Sequence, residues 1–276
     1  MNKFRKIFKK LLMEYPELYL FRLLKNFASG FLNIYFNANN WDMSTNGELF
    51  VLKHFRENKL SNKVLILDVG ANSGDWSMMC VRLFSNSFIH SFEIVPDTFI
   101  LLKEATKGTN IVINNFGLSD QEKIVSVCYF PSSTVHSSVY GSKMDNLLSL
   151  ESKTIKCKCI TGDSYVHLNN IPRIDFLKID TEGHDYFVLK GFRENLQKGR
   201  IGIIQFEVGH HDVSKISIKD FYDFLGPYSY KIGRLLSNKI DCSKYNRQHE
   251  LRGSGNYIAI HKSSLPEFKS VLINRK

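Results

Sequence analysis

The chain has 276 residues, of which 43% are hydrophobic and 23% charged, and this composition is typical of a globular protein and excludes a disordered or collagen-like one. The formal net charge is +10, but five cations lie within the first ten residues, so neither a nucleic-acid-coating surface nor a nucleic-acid partner is expected. Five cysteines without a Cys-x-x-Cys pair predict no disulfides and no zinc ribbon, and they fit a reducing cytosol.

Residues 1–46 are predicted to form a basic amphipathic helical extension. Phe4, Ile7 and Phe8 recur at helical spacing, with the cations on the other face. Two interpretations of this helix are open: residues 1–13 contact an anionic membrane surface peripherally, or the helix packs on its own domain, which is favoured. The sequence has neither a signal peptide nor about 20 consecutive apolar residues, and therefore predicts a cytoplasmic protein, at the inner membrane face only under the first interpretation.

A polar, Asn-rich stretch over 33–46 marks a boundary, and the main domain is predicted to span 47–276. Short apolar runs there alternate with helix-period segments, which is typical of an α/β fold with a mostly parallel sheet. Residues 118–171 are predicted to be a β insertion in that sheet. The predicted strands are Val64–Val69, Phe88–Phe92, Ile111–Ile113, Ile174–Ile179, Ile201–Phe206 and Gly255–Ile260, and the predicted helices are Asp75–Phe84, Asp97–Ala105 and His184–Leu196.

The first apolar run ends in an acidic residue and spaced glycines at a strand-to-helix turn, Asp68-Val-Gly70-Ala-Asn72-Ser-Gly74. Such a turn lets a ligand approach the backbone and the free N–H groups of the helix N-terminus. The spacing is not the Gly-x-Gly-x-x-Gly that holds a pyrophosphate, and an acidic residue would instead attract an ammonium group. The turn therefore favours S-adenosylmethionine as cofactor, with a purely structural turn as the alternative. The residues predicted to bind it here are Asp68, Gly70, Asn72 and Gly74.

Glu93 follows the second apolar run, at the carboxyl end of the next strand. A carboxylate there can accept both ribose hydroxyls of a nucleoside, and the adjacent Ile94 offers adenine an apolar face. The alternative is that Glu93 caps the helix that Pro96 begins. Asn115 and Phe116, in the turn after the third run, are predicted to meet the edge and the face of adenine, although asparagine is also common in plain turns.

Four titratable groups crowd the end of the fourth run, in the segment Ile174–Asp185. Strand alternation places Lys178 and Asp180 on one face, where we expect them to pair. Asp180, Glu182 and His184 then lie at the carboxyl end of the strand, where ligands bind in open α/β sheets, and this crowding indicates acid–base chemistry. For Glu182 and Asp185 the alternative is compensation of the helix dipole, which is preferred for Asp185.

These segments together resemble one known family, the FkbM family of S-adenosylmethionine-dependent methyltransferases. The resemblance spans about 47–260 and is carried by DVGANSGDWS, HSFEIVPDTF, NNFGLSD, Thr161-Gly-Asp163 and, above all, IDFLKIDTEGHDYFVLKGF. It implies a Rossmann-like methyltransferase fold, with a seven-stranded sheet whose last strand is antiparallel. It also implies methyl transfer, usually to a hydroxyl of a sugar or natural product. Two departures are Thr161-Gly-Asp163, where Thr-Leu-Asp is usual, and Ser73, where an apolar residue is common.

Glu207 follows the fifth run and is also typical of that family. Its place at the end of a central strand makes it a candidate contact for the acceptor, with a solvated loop carboxylate as the alternative. His210 and His211 are predicted to be loop residues, and without a third ligand at fixed spacing no metal site is predicted.

The leading hypothesis is therefore an O-methyltransferase that uses S-adenosylmethionine and a small-molecule or glycan acceptor. Such an enzyme must align the acceptor oxygen and remove its proton, for which His184 and Asp180 are the candidate bases, with Lys178 holding Asp180 charged or acting on the oxygen. The first alternative is RNA ribose 2′-O-methylation by Lys178, Asp180 and Glu207, but a second lysine is missing. A dehydrogenase based on Tyr186-x-x-x-Lys190 and a non-catalytic, membrane-docked cofactor-binding module are the others.

Overall fold

The computed structural model describes residues 2–59, 63–130, 133–138, 152–209 and 214–275. Five parallel strands form one side of its main sheet, and helices cover the sheet on both faces. The described strands are Lys63–Val69 (β1), Asn86–Phe92 (β2), Val112–Asn114 (β3), Gly117–Ser119 (β4), Lys123–Phe130 (β5), Ser133–Ser138 (β6), Lys153–Thr161 (β7), Ile174–Ile179 (β8), Ile201–Val208 (β9), Tyr230–Leu235 (β10), Ile240–Asp241 (β11), Gly255–His261 (β12) and Leu272–Ile273 (β13).

The main sheet has the order β13-β11-β10-β12-β9-β8-β1-β2-β3 within the described residues. Strands β3, β2, β1, β8 and β9 are parallel, and β12 is inserted antiparallel between β9 and β10. This order confirms the predicted Rossmann-like fold with an antiparallel last long strand. The two-residue strands β11 and β13 extend the edge beyond the seven strands expected.

Strand β1 shows why the sheet is central. Leu67 and Val69 belong to the apolar core on one face, and Val64 and Ile66 belong to the core on the other. Side chains alternate between the faces of a strand, so a nearly continuous apolar run is buried on both sides.

Most of the described helices connect these strands and shield the two cores, whereas the first two along the chain are almost entirely exposed. They are Asn2–Glu14 (α1), Tyr19–Phe36 (α2), Glu48–Asn58 (α3), Asp75–Leu83, Pro96–Ala105, Gly162–Leu168, Asp185–Lys190, Arg193–Gln197, Ile218–Leu225 and Leu265–Phe268, with short 3₁₀ turns at Gly226–Tyr228, Arg247–Leu251 and Lys269–Val271. None of them is both long and apolar enough to cross a bilayer.

A second sheet, of order β4-β7-β5-β6, lies in the segment predicted as a β insertion. It packs its own apolar cluster, which includes Val95, Val127 and Cys159. This sheet reaches the main one through the short turn between β3 and β4, and so borders the same edge at which β1 and β2 end.

One predicted helix is divided in two. The apolar stripe predicts a continuous helix over His184–Leu196, but the helix ends at Lys190 and a second begins at Arg193. A Cβ on Gly191 would lie 2.1 Å from the carbonyl oxygen of Ser119, and the Gly191 carbonyl accepts the N–H of Asp163. The close approach of β4 therefore interrupts the helix, an effect that the periodicity of the segment cannot indicate.

Candidate active site

A cavity of about 290 Å³ opens at the carboxyl ends of β1, β2, β8 and β9. This is the edge at which ligands bind in open α/β sheets. The predicted site residues that line it are Gly70, Asn72, Glu93, Ile94, Lys178, Asp180, Glu182, His184 and Glu207. Four others, Asp68, Gly74, Asn115 and Phe116, do not belong to its lining.

Gly70 holds the ends of three strands together. Its φ of +83° lies in the left-handed region, and a Cβ there would lie 1.8 Å from the carbonyl oxygen of Asp180. The N–H groups of Gly70 and Ala71 both donate to the carbonyl of Phe92, at 3.0 and 2.8 Å. Glycine is therefore required because backbone meets backbone here, at the junction of β1, β2 and β8.

Gly74 does not line the cavity, and its predicted contact with the cofactor stays a prediction. It has a φ of +95° immediately before the helix Asp75–Leu83, and a Cβ would lie 2.8 Å from Cδ1 of Leu102. Its role is thus in the backbone turn and in packing against the next helix. The sequence motif shows that glycine is needed here, but not which neighbour requires it.

Glu93 closes the glycine turn from the side of β2. Its Oε2 accepts the N–H of Asn72 at 2.9 Å, and its Oε1 accepts the N–H of Val95 at 2.8 Å. Burial raises the pKa of this carboxyl group to about 7, against the lowering effect of the two N–H donors. Each carboxylate oxygen can accept a second hydrogen bond, so Glu93 can still receive hydroxyl donors from the cavity.

The predicted adenine contacts, Asn115 and Phe116, lie elsewhere. The amide of Asn115 donates to the carbonyl of Glu93 at 2.9 Å, and Phe116 packs edge-on against Phe92. Asn115 thus supports the β2 turn from behind, and Phe116 belongs to the core. The apolar wall of the cavity is instead formed by Ile94 with residues that the sequence analysis missed, namely Gly117, Leu118, Val127 and Cys159.

Gly117 explains how Ile94 reaches that wall. A Cβ on Gly117 would lie 2.7 Å from Cδ1 of Ile94, so the absence of a side chain at Gly117 leaves the space that Ile94 occupies. The resulting surface is narrow and apolar, between the turn after β2 and the second sheet. It is well suited to a flat aromatic ring.

Lys178 lies at the centre of a buried charge cluster. Its ammonium group lies 3.2 Å from Oδ2 of Asp180 and 3.7 Å from Oδ1 of Asp68. Burial alone would lower the pKa of Lys178, but Asp180, Asp68 and Glu48 together raise it above its ordinary value. Lys178 is therefore a fixed cation, and the predicted pair with Asp180 is present.

Asp68 is fully buried below the glycine turn and is not part of the cavity lining; its predicted contact with the cofactor stays a prediction. Its Oδ2 accepts the hydroxyl of Ser77 at 2.6 Å, and its Oδ1 faces Lys178. Asp68 does not touch the cavity itself but influences its charge through the ion pair with Lys178. The sequence places it correctly at the end of β1, but strand alternation directs its side chain beneath the turn.

Asp185 organises the loop between β8 and the following helix. Its Oδ2 accepts the N–H and the hydroxyl of Thr181, at 3.1 and 2.8 Å, and its Oδ1 accepts the N–H of Glu207 at 3.1 Å. This buried carboxyl group thus joins the loop to β9, a role beyond the predicted dipole compensation. Glu182, at φ +51°, lies in the same loop and lines the cavity.

His184 is buried at the inner end of this loop. Its Nε2 lies 2.9 Å from the hydroxyl of Ser119, and its ring stacks on Phe187. Burial lowers the pKa of His184 to about 4, with a contribution from Lys123. The imidazole is therefore neutral at pH 7, whereas the side chain of Asp180 is 38% exposed and directed into the cavity.

The opposite side of the cavity combines distant parts of the chain. Glu207 accepts the hydroxyl of Ser254 at 2.7 Å and pairs across the sheet with Asn256. The N–H of Asn39 donates to the carbonyl of Ser254 at 3.0 Å, and the segment that follows also lines the cavity with Asn40, Trp41, Met43, Asn46 and Glu48, none of which the sequence analysis predicted as a site residue.

Glu48 is the buried anchor of that segment. Its Oε1 accepts the amide of Gln205 and its Oε2 accepts that of Asn46, so α3 begins against the middle of β9. Burial raises the pKa of Glu48, while Lys178 lowers it. Nothing in the local sequence distinguishes this glutamate from a surface helix residue, because its partner Gln205 lies 157 residues away.

Residues His210 and His211 lie outside the described residues. Among those the structure does describe, no three His, Cys, Asp or Glu side chains are grouped so as to hold a metal ion.

Two curated proteins show related sequences. The hexuronic acid methyltransferase AglP of Haloferax volcanii is 29% identical over 175 residues, which cover 62% of this chain and 67% of AglP. Methyltransferase 1 of Beauveria bassiana is 22% identical over 160 residues, which cover 52% of this chain and 64% of that protein. The matches therefore span about two thirds of the length of these relatives.

Solved methyltransferase structures align with low scores. The precorrin-6y C5,15-methyltransferase of Geobacter metallireducens aligns with a TM-score of 0.41 and 14% identity, over 78% of this chain and 88% of that one. The profile of the Methyltransferase FkbM domain matches residues 68–232, which is more than half of the chain and includes the glycine turn, Glu93 and the Asp180 loop. The protein therefore belongs to the FkbM methyltransferase family and is a methyltransferase that uses S-adenosylmethionine.

Proposed function

We propose that this protein transfers the methyl group of S-adenosylmethionine to a hydroxyl of a neutral or amino sugar. The observation that carries the proposal is that Trp41, with 68% of its surface exposed, lines the same cavity as Asn40, Asn256 and Asp180. An aromatic face beside amide groups is suited to a sugar ring, which has apolar C–H faces and polar hydroxyl edges. AglP, named for methylation of a hexuronic acid, supports a sugar as the acceptor class.

The cofactor half of the cavity, defined by the turn Gly70–Asn72, Glu93 and the Ile94 wall, fits the nucleoside of S-adenosylmethionine. Glu93 would accept the ribose hydroxyls, and the wall beside Gly117 would cover adenine. The cofactor supplies an electrophilic methyl group. The protein's task is then to orient the acceptor hydroxyl and remove its proton.

The charge of the cluster agrees with a cationic cofactor. Asp68, Asp180 and Glu48 surround the single cation Lys178. Burial raises the pKa of Asp68 and of Glu48 while Lys178 lowers both, and the carboxylate of Asp180, which is open to the cavity, presents negative charge to it. Such a charge favours the positively charged sulfonium and ammonium groups of S-adenosylmethionine.

Asp180 is our candidate for the base. Its carboxylate is open to the cavity, and its Oδ2 forms an ion pair with the ammonium group of Lys178 at 3.2 Å. His184, the other candidate, has its Nε2 engaged with Ser119 and is buried. We assign His184 a positioning role at the start of the helix Asp185–Lys190, and Glu182 and Glu207 contacts with the acceptor.

The acceptor half, defined by Asn40–Glu48, the loop 180–184, Glu207 and Asn256, is also acidic. Among the described lining residues, Glu48, Glu182 and Glu207 add to Asp180, and Lys178 is the single lysine. A hexuronate would bring another negative charge to these carboxylates, which is unfavourable because the described lining offers no second cation to pair with it. We therefore infer that a neutral or amino sugar is preferred over a hexuronic acid.

RNA ribose methylation is not favoured by the same lining. Lys178 is buried and already paired with two carboxylates, and no second lysine lines the described part of the cavity. A cavity rich in carboxylates also repels phosphates.

The test is a methyl-transfer assay with S-adenosylmethionine and matched methyl glycosides of a neutral hexose, an amino sugar and a hexuronic acid. We expect transfer to the neutral or amino sugar and little to the hexuronate, with Asp180→Asn as the inactive control. A preference for the hexuronate would contradict the charge argument. A thermal shift with S-adenosylhomocysteine but not with NAD, measured in parallel, separates failure of the acceptor assignment from failure to bind the cofactor.

A further inference from the structure

The N-terminal helices α1 and α2 form an exposed apolar and basic arm. Every described side chain of α1 is exposed, and in α2 Phe21 alone is buried, where it packs edge-on against Phe8 of α1. Phe27 has 74% of its surface exposed and Ile34 has 85%. Monomeric soluble proteins rarely expose an apolar surface of this extent, and one that does is usually a binding surface.

The charges of the arm are almost all positive. Five cations, Lys3, Arg5, Lys6, Lys9 and Lys10, lie in α1, and Arg22 and Lys25 lie in α2. The only acidic residues between positions 2 and 36 are Glu14 and Glu17. In α1 the cations lie opposite the Phe4–Ile7–Leu11 stripe, which is the arrangement of helices that lie in a membrane interface.

The arm is fixed at one end to the methyltransferase domain. Arg234 is buried and donates to the carbonyls of Phe36 at 2.7 Å and Asn37 at 3.4 Å. The amide of Asn37 donates to the carbonyl of Asn46 at 2.8 Å, and Arg275 donates to the carbonyl of Tyr35 at 2.6 Å. The C-terminal end of α2 is therefore rigidly held, while its exposed apolar side chains precede this attachment.

This attachment leads directly into the cavity. Only three residues separate the end of α2 at Phe36 from Asn40, and Asn40, Trp41 and Met43 line the cavity. Whatever binds the arm is thus coupled by a short, hydrogen-bonded segment to the acceptor half.

We propose that the arm Asn2–Phe36 docks on an anionic lipid bilayer. The apolar side chains would enter the interface and the cations would contact lipid phosphates, without a helix crossing the bilayer. A second copy of the chain is the less suitable occupant, because its arm carries the same positive charges and would repel this one. Docking places the cavity rim beside the lipid surface, so, resting on the proposed sugar methylation, the acceptor half is positioned to receive a glycan held at a membrane.

The test is sedimentation of the full-length protein with vesicles of phosphatidylcholine alone and of phosphatidylcholine mixed with phosphatidylglycerol. We expect binding to the anionic vesicles to be at least about tenfold tighter and to weaken in high salt. The triple variant Lys3→Glu, Lys6→Glu, Lys10→Glu should lose about tenfold or more of this binding. The matched control Lys53→Glu, Lys103→Glu, Lys107→Glu reverses three exposed cations of the methyltransferase domain and should bind as the unaltered protein does.

A second pair of changes, Phe27→Gln with Ile34→Gln, removes apolar surface and keeps the charge, and should also weaken vesicle binding. Equal binding by the unaltered protein and both arm variants, or no binding to either vesicle, overturns the proposal. So does a dimer that these two substitutions dissociate, as measured by light scattering, because a second copy then covers the arm. Cofactor affinity and methylation of a soluble sugar should be unchanged in the arm variants, which separates this proposal from the proposed function.

Discussion

The cofactor half of the cavity is assembled from neighbours in the sheet, whereas the acceptor half is assembled from segments that are far apart in the chain. Gly70 and Glu93 directly follow the consecutive strands β1 and β2, and the N–H of Asn72 donates to Glu93 across 21 residues. Glu48 instead meets Gln205 across 157 residues. One half is therefore fixed by local turn geometry, and the other depends on the folded whole. Asp180 lies where the two halves meet.

The largest effect of a single substitution is expected at Asp180, where the two halves of the cavity meet. Asp180→Asn removes the proposed base and leaves Lys178 with less negative charge beside it, so turnover should fall about 10²–10⁴-fold. The matched control is Glu182→Gln in the same loop, which should change turnover by less than about tenfold. Single-turnover rates with saturating cofactor would compare the two variants. Equal losses of turnover would show that Asp180 is not the base.

A second prediction concerns the backbone contact that joins the halves. Gly70→Ala would place a Cβ 1.8 Å from the carbonyl oxygen of Asp180 at a φ of +83°, and should destabilise the protein by at least about 3 kcal/mol. Gly108→Ala is the control, because Gly108 has a similar φ of +79° but no atom within 4 Å of an added Cβ. Gly108→Ala should lower the free energy of unfolding by only about 1 kcal/mol. Urea unfolding compares them, and equal losses would show that the contact with Asp180 is unimportant.

The comparison also explains what could be predicted from the sequence. The apolar runs of β1, β8 and β9 predict the parallel sheet because burial on both faces leaves a clear local pattern, and the glycine turn and Glu93 follow from strand-end chemistry. Trp41 and Glu48 could not be found, because they lie in or next to a polar stretch with no periodicity and acquire their partners only through tertiary contacts.

The hydrogen-bond partners of a side chain are harder to predict than its place on a strand. Asp68 and Asn115 lie at the strand ends where the sequence places them, but Asp68 turns to Lys178 and Ser77, and Asn115 turns to the backbone of Glu93. The position of a residue on a strand is encoded locally. Which neighbour satisfies its polar atoms is decided by the adjacent strands.

A third prediction separates the cofactor half from the acceptor half by affinity. Glu93→Gln removes a charged hydrogen-bond acceptor and should weaken cofactor binding by about 1.5–3 kcal/mol, which corresponds to roughly 10- to 150-fold. Acceptor affinity should change little. Because the pKa of Glu93 is about 7, the ionised form that binds hydroxyls best is lost as the pH falls below 7. Cofactor affinity of the unaltered protein should therefore decrease in that range, by up to about tenfold per pH unit.

Calorimetry between pH 5.5 and 8 would measure this dependence. The Glu93→Gln variant is the control for the unaltered protein. It should bind the cofactor weakly at every pH, and its affinity should not decrease below pH 7. Unchanged cofactor affinity in the variant would show that Glu93 only caps the helix that begins at Pro96.

The smallest effect is expected for His184, and it should appear in stability more clearly than in turnover. The folded protein holds the pKa of this imidazole at about 4, below its ordinary value of 6.5. As the pH falls from 6.5 towards 4, the unfolded chain binds a proton that the folded protein does not, so stability is lost in that window. At pH 4.5 the loss should be about 2–3 kcal/mol. His184→Gln removes this titration, so the difference in unfolding free energy between the variant and the unaltered protein should shift by this amount between pH 7 and pH 4.5. Turnover of the variant at pH 7 should fall by less than about tenfold, because the ring positions the loop through Ser119. A loss of 10²-fold or more, with normal cofactor binding, would instead make His184 the base and leave Asp180 to hold Lys178.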